Sequence, residues 1–204
     1  MGMWYAHRLT TTYIMSELPA GWPRTPEAAP FFPEGWLKGK GWPSFERAVS
    51  GMIKRGSQFS WRRIVDPAVP RGLGSGYRAP PMHPREFASE LALKVFSNGA
   101  DCDVVARLYA DSFMGALGEA TDLEFKFLDW GDADAEAFAK VLPLLRRVER
   151  LSLFGNFIGE RGFAALAAAI RGGAAPKLKQ FQFGYNDGDS TPLREACKAR
   201  GIAM

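Results

Sequence analysis

In the second half of the chain, apolar residues recur in two alternating rhythms, a two-residue step followed by a helical step. Leu151 and Leu153 stand two apart, so on an extended segment both enter the same side, leaving Glu149, Arg150, Ser152 and Phe154 outward or at the strand ends. Phe163, Leu166 and Ile170 follow at helical spacing, and Ala164, Ala165, Ala167, Ala168 and Ala169 are small enough for close packing between helices. Asn156 falls at the bend, where a short amide satisfies backbone groups left unpaired by the turning chain. Gly159 and Gly162 permit a tight entry into the helix. The pattern recurs 28 positions upstream, where Leu123, Phe125, Trp130, Gly131, Phe138 and Leu142 superpose on Leu151, Leu153, Ile158, Gly159, Leu166 and Ile170. Thirty positions downstream, Leu178, Phe181, Phe183 and Asn186 superpose on Val148, Leu151, Leu153 and Asn156. Copies at such a period predict a solenoid of about three strand-and-helix units.

Upstream, Phe87, Leu91 and Val95 predict a helix over Pro84 to Phe96, ended by Asn98-Gly99. Asp101 is placed to cap a second helix carrying Val104, Val105, Leu108, Tyr109 and Phe113. This pair is expected to cover the apolar end of the array. At the other end, Thr191-Pro192 starts a short helix through Cys197 and Ala199. Residues 1–65 hold five of the six tryptophans, Trp4, Trp22, Trp36, Trp42 and Trp61, among many Pro and Gly breakers. A helix over Arg8 to Leu18, another over Pro43 to Lys54 and a strand over Phe59 to Val65 are the elements expected there. The stretch looks incomplete, as if the chain started inside a domain. Pro and Gly fill residues 66–83, which read as a linker. The expected division is therefore 1–65 irregular and aromatic-rich, 66–83 linker, 84–118 capping helices and 119–204 repeats with a C-terminal cap helix.

The segment LSLFGNFIGERGFAALAAAI resembles the long, ribonuclease-inhibitor type of leucine-rich repeat, L-x-x-L-x-L-x-x-N-x-I-G-x-x-G followed by an alanine- and leucine-rich helix. The likeness covers about residues 120–190. Leu128 stands in place of the asparagine in the first copy, which implies an irregular first turn, and the third copy lacks a helical pattern directly after Asn186. The resemblance implies an α/β fold whose parallel strands line a concave face that binds another protein. The contacts it implies are Glu124 and Lys126, Arg150 and Ser152, and Gln180 and Gln182. Three strands make a small face, suited to a weak or auxiliary contact.

Trp42-Pro-Ser-Phe-Glu46 is similar to the W-x-x-x-E that opens a helix in TIR-type domains, where the glutamate serves NAD cleavage. More loosely, residues 1–65 followed by PREFASELALKVFSNGADCDVVARLY resemble algal proteins in which a TIR-like domain precedes such repeats. The alternative this implies is a fragment of an NAD-hydrolysing signalling protein with Glu46 as its acid. Against it, Trp42 also suits a staple at a helix start and Glu46 a first-turn acid favoured by the helix dipole.

Composition narrows the remaining chemistry. With 47% apolar and 24% charged residues, the 204-residue chain can bury one sizeable core, with or without a smaller appendage. The longest aliphatic run, Phe163 to Ile170, is far short of the roughly 18 residues of a membrane span. Cys102 and Cys197 lack CxxC spacing and suit a reducing compartment, so a cytoplasmic or nuclear protein is expected. Net charge is +4, concentrated in Lys54, Arg55, Arg62, Arg63, Arg71, Arg78 and Arg85. That run reads as a solvated spacer ahead of a nucleic-acid contact. Gly72-Leu-Gly74-Ser-Gly76 is followed by prolines where a phosphate loop needs a helix. Asp129, Asp132, Asp134 and Glu136 lack EF-hand spacing and suit the start of a repeat helix, Asn186 to Asp189 reads as a turn, and His7 and His83 lie far apart. Apart from the NAD-hydrolysing alternative through Glu46, no cofactor, metal or enzyme activity is implied, and the expected partner is a protein.

Overall fold

The computed structural model describes residues 7, 9–13, 39–55, 64–65 and 77–204. Among them the elements run β1 (Thr12–Tyr13), α1 (Gly41–Gly51), β2 (Ile64–Val65), α2 (Pro84–Leu91), α3 (Asp101–Phe113), β3 (Asp122–Glu124), α4 (Asp132–Val141), β4 (Arg150–Ser152), α5 (Glu160–Arg171), β5 (Gln180–Gln182) and α6 (Thr191–Ala199). The architecture is mixed α/β. β3, β4 and β5 form a parallel sheet in sequence order, registered Asp122 to Arg150 to Gln180, Leu123 to Leu151 to Phe181, and Glu124 to Ser152 to Gln182. The inward row continues with Phe125, Leu153 and Phe183, and all of these apolar side chains are buried. Each is worth about 1.5–3 kcal/mol when fully withdrawn from water. Helices α4, α5 and α6 pack side by side behind the sheet. The exposed edge of β5 is taken up by the tail, where Phe181 N–H donates to Ala203 O at 2.8 Å and Ala203 N–H to Lys179 O at 2.8 Å.

The turns after the strands carry most of the polar bonding. Asn156, only 2% exposed, accepts at Oδ1 from the N–H groups of Leu128 (2.9 Å) and Trp130 (3.2 Å) and donates from Nδ2 to Phe125 O (2.8 Å) and Leu153 O (2.9 Å). Its amide thus bonds both its own strand end and the turn of the preceding unit. Asn186 repeats the arrangement one unit on, accepting from Ile158 N–H (3.0 Å) and donating to Leu153 O (3.0 Å) and Phe183 O (3.1 Å). The first unit, with Leu128 at that position, is irregular as its sequence implied. Phe127 and Asp129 both take left-handed backbone there (φ 52° and 57°). Asp132 at the start of α4 reaches across as well, accepting from the N–H groups of Gly159 (2.7 Å) and Gly162 (2.8 Å) at the start of α5. A Cβ on Gly162 would lie 2.8 Å from Ala135 Cβ and 2.7 Å from Ile158 Cγ2, so only glycine permits this approach of α5 to α4.

The segments before the sheet depart from the local expectations in four places. α2 stops at Leu91 rather than Phe96, because Val95 forms a parallel bridge with Lys40: its N–H donates to Gly39 O at 2.8 Å and its carbonyl accepts from Gly41 N–H at 3.2 Å. Val95 therefore ends 59% exposed instead of in the core. Thr12–Tyr13, inside the stretch expected to be helical, pairs in parallel with Ile64–Val65. α1 begins at Gly41, two residues ahead of Pro43, which moves Glu46 out of the first turn. Asp101 does not cap α3; it lies within the helix, and its Oδ2 accepts from the Trp42 indole N–H at 3.0 Å. Arg8, residues 14–18 and 59–63, Trp4, Trp22, Trp36 and the Gly72–Gly76 sequence lie outside the described residues.

Phe45, Val49, Met52, Phe87, Leu91, Val105, Tyr109 and Phe113 join the sheet residues in one continuous core. Phe87 stacks on Tyr109 (centroids 3.8 Å apart), whose hydroxyl donates to Met82 O at 2.8 Å. Residues 77–83, read from sequence as spacer, lie against the first unit: Arg78 O accepts from the Trp130 indole N–H at 2.6 Å. The Arg78 guanidinium bonds Lys54 O, and burial pushes its pKa down to about 10. Lys54 is fully buried, donating to Thr12 Oγ1 (3.1 Å) and Ser50 O (3.0 Å). Two cations of the basic run thus serve the interior.

Replacing Asn156 by alanine leaves four backbone groups to find other partners in a closed turn. Asn156→Ala is expected to lower the unfolding free energy by about 3 kcal/mol. Urea denaturation checks this, and a loss below about 1 kcal/mol would mean that water replaces the amide freely.

Candidate functional site

The outward face of the sheet is built by the alternation that buries Leu123, Leu151 and Phe181. Asp122, Arg150 and Gln180 form one row, and Glu124, Ser152 and Gln182 the next. Lys126 stands beyond Glu124 and lines the same shallow hollow of about 210 Å³. The structure therefore gathers Glu124, Lys126, Arg150, Ser152, Gln180 and Gln182 on one surface. Two points differ from the sequence reading. Ser152 is 4% exposed, its Oγ without a hydrogen-bond partner among the described residues, so it forms floor and not contact surface. Asp122 was missed: the 28-residue offset that aligns the strands puts it, and not Glu124, opposite Arg150.

Charge on this face is largely paired. Arg150 bonds Asp122, and Glu124 stands between Arg55 (3.6 Å) and Lys126 (3.9 Å). Partial burial raises the Asp122 pKa, but hydrogen bonds from Arg150 and Thr121 and the charges of Arg150 and Arg55 outweigh it and hold the carboxyl below its usual range. Such half-exposed pairs contribute little to stability and fix side-chain geometry. Gln180 and Gln182 offer both donors and acceptors, which suits a peptide backbone or polar side chains of a partner.

A second, larger hollow of about 530 Å³ opens beyond the strand ends, with walls that include Lys126, Phe127, Phe154, Gln182, Phe183 and Arg194. Phe154 meets Phe127 edge to face (centroids 5.7 Å apart) and Tyr185 at a tilt (4.9 Å), making an aromatic row across the three turns. The row depends on Gly155: its φ is +68°, and a Cβ there would lie 2.3 Å from Phe127 Cε1. A signal for this row was present in sequence, since Phe127, Gly155 and Tyr185 stand at the repeat offsets.

Glu46 lies exposed on α1 and lines neither hollow. His7 and His83 accept backbone N–H groups of Leu9 (3.3 Å) and Arg85 (3.1 Å) in local turns. Among the described residues no three His, Cys, Asp or Glu side chains gather as metal ligands, and no helix is long and apolar enough to cross a membrane. Comparison with protein-family models, curated proteins and solved structures finds no match to the chain.

Because the folded pKa of Asp122 is depressed, its contribution to stability is present above the unfolded carboxylate value and is lost as pH falls through the folded value. Arg150→Ala is expected to move the Asp122 titration upward, since it removes a hydrogen bond and a positive charge from the carboxylate. Carboxyl-detected NMR titration of both proteins measures it; an unmoved midpoint would mean that Thr121 and Arg55 suffice.

Proposed function

We propose that the chain is a ribonuclease-inhibitor-type leucine-rich repeat protein and works as a protein-protein interaction module through the outward face of β3, β4 and β5. The observation that carries the reading is the register of the strands at offsets of 28 and 30 residues, which lines up Asp122, Arg150 and Gln180 and then Glu124, Ser152 and Gln182 on one surface. The asparagine bonds at Asn156 and Asn186 are the further support, because they give the repeat motif a physical task in each turn. On this reading α2 and α3 cover the first unit and α6 with the tail covers the last, as a short solenoid requires.

A face of three strands buries less than a standard interface of about 1,600 Å², so the contact is weak or one part of a larger one. The paired charges set orientation and encounter, while the glutamine amides supply the specific bonds. Arg150→Glu combined with Gln182→Glu reverses the first and crowds the second without touching the core. Quantitative cross-linking in cells expressing either protein is expected to show partners of the parent chain depleted about tenfold or more in the variant. An unchanged partner set would remove the sheet face from consideration.

A further inference from the structure

The hollow beyond the strand ends differs chemically from the sheet face beside it. Phenylalanine side chains make much of its wall, Met204 also lines it, and among the described residues the charged side chains on it are Lys126 and Arg194. Arg194 lies over the Phe183 ring (5.6 Å to the centroid) and donates to Ser190 Oγ at 3.0 Å; among the described residues no carboxylate pairs with it. Lys126 has a carboxylate only at 3.9 Å, in Glu124. A cleft with aromatic walls and a cation on each side attracts an apolar side chain flanked by negative charge. Its volume is that of a pocket for a few side chains.

The turns that shape it point the same way. Phe127 and Tyr185 hold left-handed backbone (φ 52° and 55°) at the position where the middle unit has glycine. Bulky residues rarely occupy that conformation. Tyr185 is 83% exposed, so its ring makes no core contact to offset the strain.

We propose that this cleft receives an acidic peptide segment of a partner protein, with an aromatic or large aliphatic residue seated against Phe127 and Phe154 and carboxylates on Lys126 and Arg194. The proposal rests on the interaction-module reading and names the chemistry of the partner. The cleft shares Lys126 and Gln182 with the sheet face, but Arg194 lines the cleft alone and Arg150 the sheet face alone, so these two arginines tell the sites apart.

The test is fluorescence anisotropy of a labelled Asp-Glu-Phe-Asp-Glu-Leu peptide titrated with the full chain. The acidic peptide is expected to saturate, while versions with lysine for every acid, or alanine for Phe and Leu, bind at least about tenfold more weakly. Arg194→Glu should weaken the acidic peptide by about tenfold and Arg150→Glu by less than about twofold. Lys126→Glu, on the opposite wall, serves should Arg194→Glu fail to give the parent circular dichroism and melting curve. Tyr185→Gly should weaken binding while leaving the melting temperature equal or higher. No saturation at about 1 mM, equal binding of the lysine peptide, or indifference to both charge reversals overturns the proposal. So does concentration-dependent dimerisation abolished by Arg194→Glu, which would assign the cleft to a second copy. If Arg150→Glu leaves partner cross-linking intact while Arg194→Glu removes the peptide, the sheet-face reading fails and this one stands; the reverse pattern sinks this one alone.

Discussion

Strands of three residues form too few ladder bonds to hold a parallel sheet, and the amide of Asn156 supplies what the ladder lacks. It sits where two chain segments meet, with its oxygen on two N–H groups of the preceding turn and its nitrogen on the carbonyls of Phe125 and Leu153. In an enclosed turn these groups have no water to bond, and leaving them bare costs more than any single ladder bond returns. One side chain thereby joins two units, and Asn186 joins the next pair by the same route. Each of these junctions therefore carries part of the sheet's stability.

Because the asparagines close the turns from inside, the turn residues beside them are free to project outward. Gly155 lets the Phe127 ring approach the middle turn closely, and Phe154 then bridges Phe127 to Tyr185. On the helix side Asp132 has the matching task, capping the first amides of α5 from the start of α4. An acid at the N-terminal end of its own helix also meets the positive end of that helix dipole. Two of the acids that from sequence suited the start of this helix act as caps: Asp134 takes the Gly131 N–H, and Asp132 takes those of Gly159 and Gly162.

Two surfaces follow from this arrangement. On the sheet face, positive and negative side chains neutralise one another and amides carry the bonding capacity. At the strand ends, aromatic rings stand with Lys126, loosely paired with Glu124 at 3.9 Å, and with Arg194, which has no carboxylate partner among the described residues. A partner that spans both would meet polar bonding first and an apolar anchor beside it, the usual division between rim and core of an interface.

The strand-and-helix alternation, the side of each strand that is buried, the bridging asparagine and the helix Thr191–Ala199 were all legible in the sequence, because each is set by spacing within a few residues. Most of the sheet-face site was legible for the same reason: side chains two apart on a strand share a face. What lay beyond the sequence depends on partners distant along the chain. Val95 leaves its helix for Lys40, Thr12–Tyr13 pairs with Ile64–Val65, and residues 77–83 close over Trp130. Ser152 has the spacing of a surface residue and is nonetheless covered. Local periodicity determines which way a side chain points, and only tertiary packing decides what stands in front of it.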